Sequence, residues 1–481
     1  MADVWGSIVN VTEASYRIYY FLSSTTMPLF ICTSPGCKES AVRRYGSCRI
    51  CKGYLCVKHV DQKFHRCPNW QKREEVSAYK AQQALAEIAE ITALLSRVNV
   101  GALCARAATL RNVACNVNLD HSLKNRLSVI GGFNYHVPLT FADGVAWICR
   151  IRQNNITSTP TAHTNSLILS EVATYRFLAS KTKIPVPAVH DFAIDSPVNT
   201  VGVGYILMDQ LPGTPLTEHI LTEEQKRRVM EQMSDVYAQL SQHPFSKIGC
   251  LLNPEDLTAV GPVLEESTVD ADADGNLLLL GPFESAREYR VALIQHQLDL
   301  ILRRESYIKN RIDAHLIHRW LLDDVLERFS EPGPFYLKHM DDKGDHILVN
   351  AAFDIVGIID WEWAQTTTPA EAFGAPVYLL DHPRFYSGDN NLGDDEVAFA
   401  RLLAARGEAE LAGFVNGGRV QHRLAHCITG GEPGNFEVLQ TDFISLLRII
   451  LPPTEAPITW DQWRAGAWER YAQDPQLQRL L

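Results

Sequence analysis

Eight residues able to ligate a soft metal fall between Cys32 and Cys67: Cys32, Cys37, Cys48, Cys51, Cys56, His59, His65 and Cys67. Thiolate sulfur and imidazole nitrogen are ligands that zinc prefers. Eight of them divide into two closed tetrahedral sets with no position left for water or substrate. A metal held this way is structural and supplies folding energy to a segment too short to bury a core of its own. The other five of the eleven cysteines, Cys104, Cys115, Cys149, Cys250 and Cys427, are scattered, as small buried apolar residues of a reducing compartment are.

A second group of residues suits a different chemistry. The run Lys338-His339-Met340-Asp341-Asp342-Lys343-Gly344-Asp345-His346 precedes an apolar stretch, Ile347 to Val349. A second apolar stretch, Ile355 to Ile359, ends at Asp360-Trp361-Glu362. The pattern predicts a hairpin with a polar loop before it and an acidic residue at its exit. Upstream, Arg150 at the end of a predicted strand and Glu171 on a predicted helix have the separation of a cation and its orienting carboxylate. Phosphoryl transfer is mostly positioning and charge neutralisation: one carboxylate orients the acceptor hydroxyl and another holds Mg²⁺ on the phosphates. Asp341 and Asp360 fit those two roles.

The elements that must position these groups follow from periodicity. Val76, Leu85, Ile88, Leu95 and Val98 share one helical stripe, which predicts a connecting helix over 71–99 that separates the cysteine-rich core from the rest. From Leu127 to Arg152 short β-prone runs surround Gly131, Gly132 and the turn signal Asp143-Gly144. A helix through Glu171 is expected to end before Ile184-Pro185-Val186-Pro187, and a strand to run from Tyr205 to Met208. After Pro212-Gly213 the chain reads as helical, with Thr222 and Gln225 as a capping box. A strand-rich part before a helix-rich part predicts an α+β, two-lobed architecture. The expected regions are 28–70, 71–99, 100–212 and 213–481.

With 481 residues, 46% of them hydrophobic, the chain has room for two or three domains. The formal net charge of -11 argues against broad binding of nucleic acid or an anionic membrane. The stretch from Tyr16 to Ile31 is too short and too polar to span a bilayer, and the first residues lack the pattern of a secretory signal. The expected location is the cytoplasm, with the nucleus left open. Asp270, Asp272, Asp274 and Gly275 imitate the start of a calcium loop, but the twelfth position is Gly281 where a bidentate acid is needed. That stretch reads as a solvated loop.

The cysteine and histidine order resembles the AN-one type zinc finger, a cross-braced module, over residues 32–67 only. The resemblance implies that Cys32, Cys37, Cys56 and His59 hold one zinc ion and Cys48, Cys51, His65 and Cys67 the other. Four residues separate Cys32 from Cys37 where two are usual, and Ser34-Pro35-Gly36 allows that wider knuckle.

From about 125 to 450 the chain resembles a fungal-type aminoglycoside phosphotransferase, a family with the protein-kinase fold. The segments that carry the resemblance are Ile130-Gly131-Gly132-Phe133-Asn134, Ile184-Pro185-Val186-Pro187, Tyr205-Ile206-Leu207-Met208 with Leu211-Pro212-Gly213, and Gly357-Ile358-Ile359-Asp360-Trp361-Glu362. It implies Asp341 as the catalytic carboxylate and Asp360 as a ligand of Mg²⁺. Arg150 would contact the phosphates of ATP, braced by Glu171, under a hairpin containing Gly131 and Gly132. The family usually places Asn five residues after the catalytic Asp, and that position is His346 here. Imidazole is a poor magnesium ligand, and Asp345 supplies an oxygen if the loop shifts by one residue.

Two functions follow. The first is ATP-dependent phosphorylation of a small-molecule hydroxyl, with the finger docking a protein partner. The second is a zinc-finger adaptor whose kinase-like domain no longer catalyses.

Overall fold

The computed structural model describes residues 26–43, 46–60, 65–68, 72–117, 119, 132–331, 333–429, 435–451 and 458–481. Gly131, the first glycine of the expected nucleotide-covering hairpin, lies outside the described residues. In the cysteine-rich segment a two-residue ladder pairs Ser47–Cys48 with Gly53–Tyr54, and a helical turn spans Val57–Val60.

The expected connecting helix over 71–99 is present, and a second helix that was not expected follows it. Helix α1, Val76–Ser96, ends at Arg97, and α2, Val100–Arg111, starts behind Asn99, whose side chain accepts from the Ala102 N–H at 3.0 Å. The two axes meet at 58°. An Asx cap at Asn99 satisfies one of the orphan N–H groups that a fresh helix start creates, which makes this residue a boundary. Leu85, assigned to the apolar stripe, is 67% exposed, while Leu94, Leu95 and Val98 are buried. Among the described residues, no single helix is long and apolar enough to cross a membrane.

Strands β1 (Cys115–Val117), β2 (Asn134–Phe141), β3 (Ala146–Arg152), β4 (Val189–Ala193) and β5 (Tyr205–Asp209) form one antiparallel sheet in the order β1-β2-β3-β5-β4. The β2–β3 turn falls at Asp143-Gly144 as expected, with Gly144 at φ +85°. Helix α3, Thr161–Lys181, packs on this sheet and buries Glu171 among Val172, Ala173, Tyr175 and Leu178. Side chains two apart on a strand share a face, so Arg150 and Arg152 emerge from β3 on the same side.

Beyond Gly213 the chain enters the helical lobe. Gly213 adopts φ +106°, and a Cβ there would lie 2.9 Å from the Val349 carbonyl, so only glycine fits this crossing. Helix α4, Glu223–Leu240, opens on the expected Thr222–Gln225 capping box and buries Val229, Met233, Val236 and Leu240. Strands β6 (Ile347–Val349) and β7 (Ile355–Ile358) form the expected hairpin.

The segment read as a solvated loop is a correction. Asp270 is 1% exposed and bonds to Arg43 and Arg303; only the turn from Ala273 to Asn276 is fully exposed. Arg43 belongs to the cysteine-rich segment, so that segment rests directly on the helical lobe and is not held apart by α1.

Deep in the helical lobe, Arg423 is fully buried. Its guanidinium pairs with Asp442, donates to the carbonyls of Phe385 at 2.7 Å and Asp389 at 3.0 Å, and lies 3.9 Å from the Phe385 ring centre. Removing one partner of a buried pair strands the other charge. Arg423→Ala is expected to destabilise the fold by about 3–5 kcal/mol. Arg228→Ala, at an exposed pair with Asp354, should cost under about 1 kcal/mol. Equilibrium urea unfolding compares the two, and equal losses would refute this accounting.

Candidate active site and metal clusters

Strand β3, helix α3 and the loop after β7 meet around one guanidinium. Arg150 Nε lies 3.2 Å from Glu171 on α3, its Nη2 bonds to Asp360 and stands 3.5 Å from Glu362. His136, directly across on β2, accepts from Arg150 Nη1 at 3.4 Å. Arg150 is thus the only cation in contact with three carboxylates among the groups just named. Burial alone would lower its pKa, but Asp360, Glu171 and Glu362 hold it well above the ordinary value.

The carboxylates differ in environment. Glu171 is fully enclosed, and burial pushes it up to about 8 against the pull of Arg150. Its Oε1 has no hydrogen-bond partner, and the Arg150 Nε contact lacks hydrogen-bond geometry. The Asp360 side chain is 37% exposed. Partial burial would raise its pKa, yet Arg150, with His339 and His136 acting in the same direction, holds it below the usual carboxylate value. Asp360 also sits at φ +65°, the left-handed region, which costs a non-glycine residue on the order of 1–2 kcal/mol. Its N–H donates to the Tyr175 hydroxyl at 3.0 Å, which ties the strained residue to α3.

The loop before β6 carries the other candidate residues. Asp341 accepts from Lys343 Nζ at 2.7 Å and has a side chain 32% exposed; Asp345 lies 3.4 Å from the same ammonium. Asp342 is pinned between Lys338 at 2.9 Å and the Val377 N–H at 3.1 Å. His339 donates from Nε2 to the Ile359 carbonyl at 2.9 Å, beside Asp360. His346 is 3% exposed and stacks on His339 with ring centres 4.0 Å apart. Burial keeps this imidazole well below its ordinary pKa, so it is neutral, and its Nδ1 has no partner. Gly132 has open space where a Cβ would be.

Sequence reasoning missed an outer layer. Glu362, 2% exposed, bonds to Arg152 and accepts from Asn134 Nδ2 at 3.0 Å. Arg152 also pairs with Glu266 and stands over the rings of Phe133 and Trp363, at 5.1 and 5.5 Å. The i, i+2 spacing of Arg150 and Arg152 was the available signal.

The metal-ligand candidates come together in the two expected sets: Cys32, Cys37, Cys56 and His59, and Cys48, Cys51, His65 and Cys67, with the ligand atoms of each set within 4.8 Å of one another. Cys32 Sγ and Cys56 Sγ both lie 3.3 Å from His59 Nδ1, Cys37 Sγ is 3.9 Å from Cys56 Sγ, and Cys51 Sγ is 3.5 Å from His65 Nε2. Tetrahedral bonds of about 2.3 Å to sulfur and 2.0 Å to nitrogen imply edges of roughly 3.5–3.8 Å, so the donor sets fit zinc.

The model described as "Phosphotransferase enzyme family" matches residues 139–375, just under half of the chain. That span includes Arg150, Glu171, Asp341, Asp345, His346 and Asp360 and excludes both glycines and the cysteine cluster. Among curated proteins, a subtelomeric hrmA-associated cluster protein is 33% identical over 130 residues in each of two strains of Aspergillus fumigatus. The match covers 26% of this chain and spans about a quarter of those relatives, at 24%. Among solved structures, a putative fructosamine-3-kinase from Thermobifida fusca is 15% identical, with a TM-score of 0.43, covering 73% of this chain and 100% of the other. A GDP complex of a mutant aminoglycoside 2'-phosphotransferase is 14% identical with a TM-score of 0.40, covering 78% and 97%. At those scores the likeness carries no weight of its own. The family match does, and residues 139–375 form a phosphotransferase-family domain.

Two histidines near the site, His163 buried and His136 half-buried, set an acid limit. Burial lowers His136 to about 4, with Arg150 adding to the effect, and lowers His163 to about 4 despite its bond to the Leu264 carbonyl. Both are neutral in the fold, while the unfolded chain protonates near 6.5. Their contribution is complete above that value and is lost as pH falls from 6.5 toward 4. Urea midpoints measured from pH 8 to 4 should decline through this window, more shallowly in His163→Gln. A flat profile would contradict the burial argument.

Proposed function

We propose that this chain transfers the terminal phosphoryl group of ATP to a hydroxyl of a small molecule, and that two zinc ions hold its N-terminal module. The observation that supports this most is the convergence of Arg150, Glu171, Asp360 and Glu362 within the phosphotransferase-family segment. Excess carboxylate around one buried cation leaves Asp360 able to hold a divalent ion at its exposed face.

Magnesium takes oxygen ligands and, when bound, neutralises the phosphate charge. Asp360 provides one such oxygen. The enclosure of the His346 ring favours Asp345, whose side chain is 48% exposed, as the second donor. Arg150 orients phosphate oxygens while Glu171 fixes the Arg150 side chain. Asp341 orients the acceptor hydroxyl and takes its proton, with Lys343 holding the carboxylate in place through a 2.7 Å bond. Gly132 leaves the backbone uncrowded for a phosphate to approach. The adaptor reading draws its support from His346 alone.

Metal content is the first test. Protein purified without chelators should carry about two zinc ions per chain by elemental analysis, since closed four-ligand sites bind tightly. A reproducible value near zero would sink the cross-braced assignment.

The chemistry is tested by separating binding from turnover. Asp360→Ala should abolish Mg²⁺-dependent nucleotide binding. Asp341→Ala should leave affinity nearly unchanged and lower turnover by about 10²–10⁴-fold. His346→Asn restores an oxygen and should tighten metal-dependent binding by a measurable factor in a titration. If neither the native chain nor this variant bound ATP, ADP or GTP at millimolar concentration, the adaptor would replace the enzyme.

A further inference from the structure

One short segment, from Leu264 to Ala271, touches both the cysteine-rich module and the candidate active site. At its far end Asp270 and Glu305 receive Arg43 of the module: Nη2 to Asp270 at 3.0 Å and Nε to Glu305 at 2.8 Å. Arg43 also donates from Nη1 to the Val269 carbonyl at 2.9 Å, and its N–H donates to the Glu305 carbonyl at 2.9 Å. Met27 extends the contact by donating its N–H to Ala271 at 2.9 Å. At the near end Glu266 bonds to Arg152, which in turn bonds to Glu362, the carboxylate that also faces Arg150 and Asn134.

The residues between these ends have little freedom. Thr268, Val269 and Asp270 are buried. His163 donates to the Leu264 carbonyl at 3.0 Å and His296 to the Ser267 carbonyl at 2.9 Å, while Arg303 bonds to Asp270 at 2.7 Å. A segment fixed at this many points moves as a unit or not at all. Close-packed, hydrogen-bonded backbone transmits a displacement where a solvated loop absorbs it.

We infer that the cysteine-rich module is a positioning element of the phosphotransfer site, acting from Arg43 through Asp270 and the 264–271 segment onto Glu266 and Arg152. The functional significance rests on the reading of the site given above; the coupling itself does not. Arg43 is a positioning residue, since it touches neither nucleotide nor acceptor. The module's metal ions then secure the site at a distance, because Arg43 is delivered by a fold that the ligand sets hold together. Coupling between two sites is reciprocal, so a change at Glu266 must be felt at the metal clusters.

The test uses the full zinc-loaded chain and reads both directions. Amide hydrogen exchange is followed over 264–271 and over β3, Ala146–Arg152, in Arg43→Ala, Arg43→Lys and the control Arg228→Ala. Arg43→Ala should speed exchange in both stretches by about fivefold or more. Arg43→Lys should do so to a smaller degree, since an ammonium cannot bridge Asp270 and Glu305 as the guanidinium fork does. The control should match the native chain. In reverse, Glu266→Gln should accelerate chelator-driven zinc release by about the same factor. Faster exchange confined to the module, with Ala146–Arg152 unchanged, overturns the inference, as does native zinc release in Glu266→Gln. Should Arg43→Ala fail to fold, Arg43→Lys and Glu266→Gln decide. A native chain that binds no nucleotide refutes the phosphotransferase reading, while exchange and zinc release still decide the coupling.

Discussion

The rest of this structure is arranged around a buried guanidinium that three carboxylates must surround. A charge removed from water costs several kcal/mol unless it is paired and its hydrogens are used. Arg150 is paired with groups from two places far apart in the chain, Glu171 on α3 and Asp360 and Glu362 after β7, although its Nε–H lacks a hydrogen-bond partner. The sheet, the helix and the loop cannot shift independently without stranding a charge. A lysine would not serve, because one compact ammonium lacks the fork that reaches three acceptors. The same constraint explains why Asp360 tolerates a left-handed backbone: its side chain is held by Arg150 and its N–H by Tyr175.

What could be read from the sequence was local. The two ligand sets are legible because zinc sites recur at short spacings along one segment. The β6–β7 hairpin and its acidic exit are legible because apolar runs and polar loops alternate within a few residues. Arg150 and Glu171 could be paired because each sits on an element with a clear period. Three features were not legible. The helix Val100–Arg111 beyond the expected end at 99 was hidden because its alanine-rich sequence carries no marked apolar stripe. Arg152, Glu266 and Glu362 are each separated from one another by roughly a hundred residues or more, so no window contains the network. Asp270 was read as solvated because it belongs to the same acidic run as the exposed Asp274, although its side chain turns inward toward Arg43 and Arg303.

His346 illustrates how a departure from a family pattern can be a packing decision. Its ring fills space against His339, which is itself edge-on to Trp361 at 4.8 Å. Its carbonyl accepts from the Ile359 N–H at 2.9 Å, one residue before Asp360. The backbone at 346 thus helps fix the metal-ligand candidate whatever the side chain is. An imidazole there exchanges a hard oxygen donor for buried aromatic surface, and the loop acids Asp341 and Asp345, both tied to Lys343, remain the exposed oxygens nearby in sequence.

The charge balance under the cysteine-rich module makes the same point about its place in the fold. Without Arg43, the buried carboxylates of Asp270 and Glu305 share one cation, Arg303. His296 offers no second positive charge, because burial lowers its pKa to about 3 and leaves it neutral. One enclosed carboxylate would then be uncompensated, a state that costs several kcal/mol. The helical lobe therefore carries an acidic socket that only becomes neutral when the module docks. The module presents Arg43, and Arg43 completes the charge balance of a lobe more than two hundred residues further along the chain.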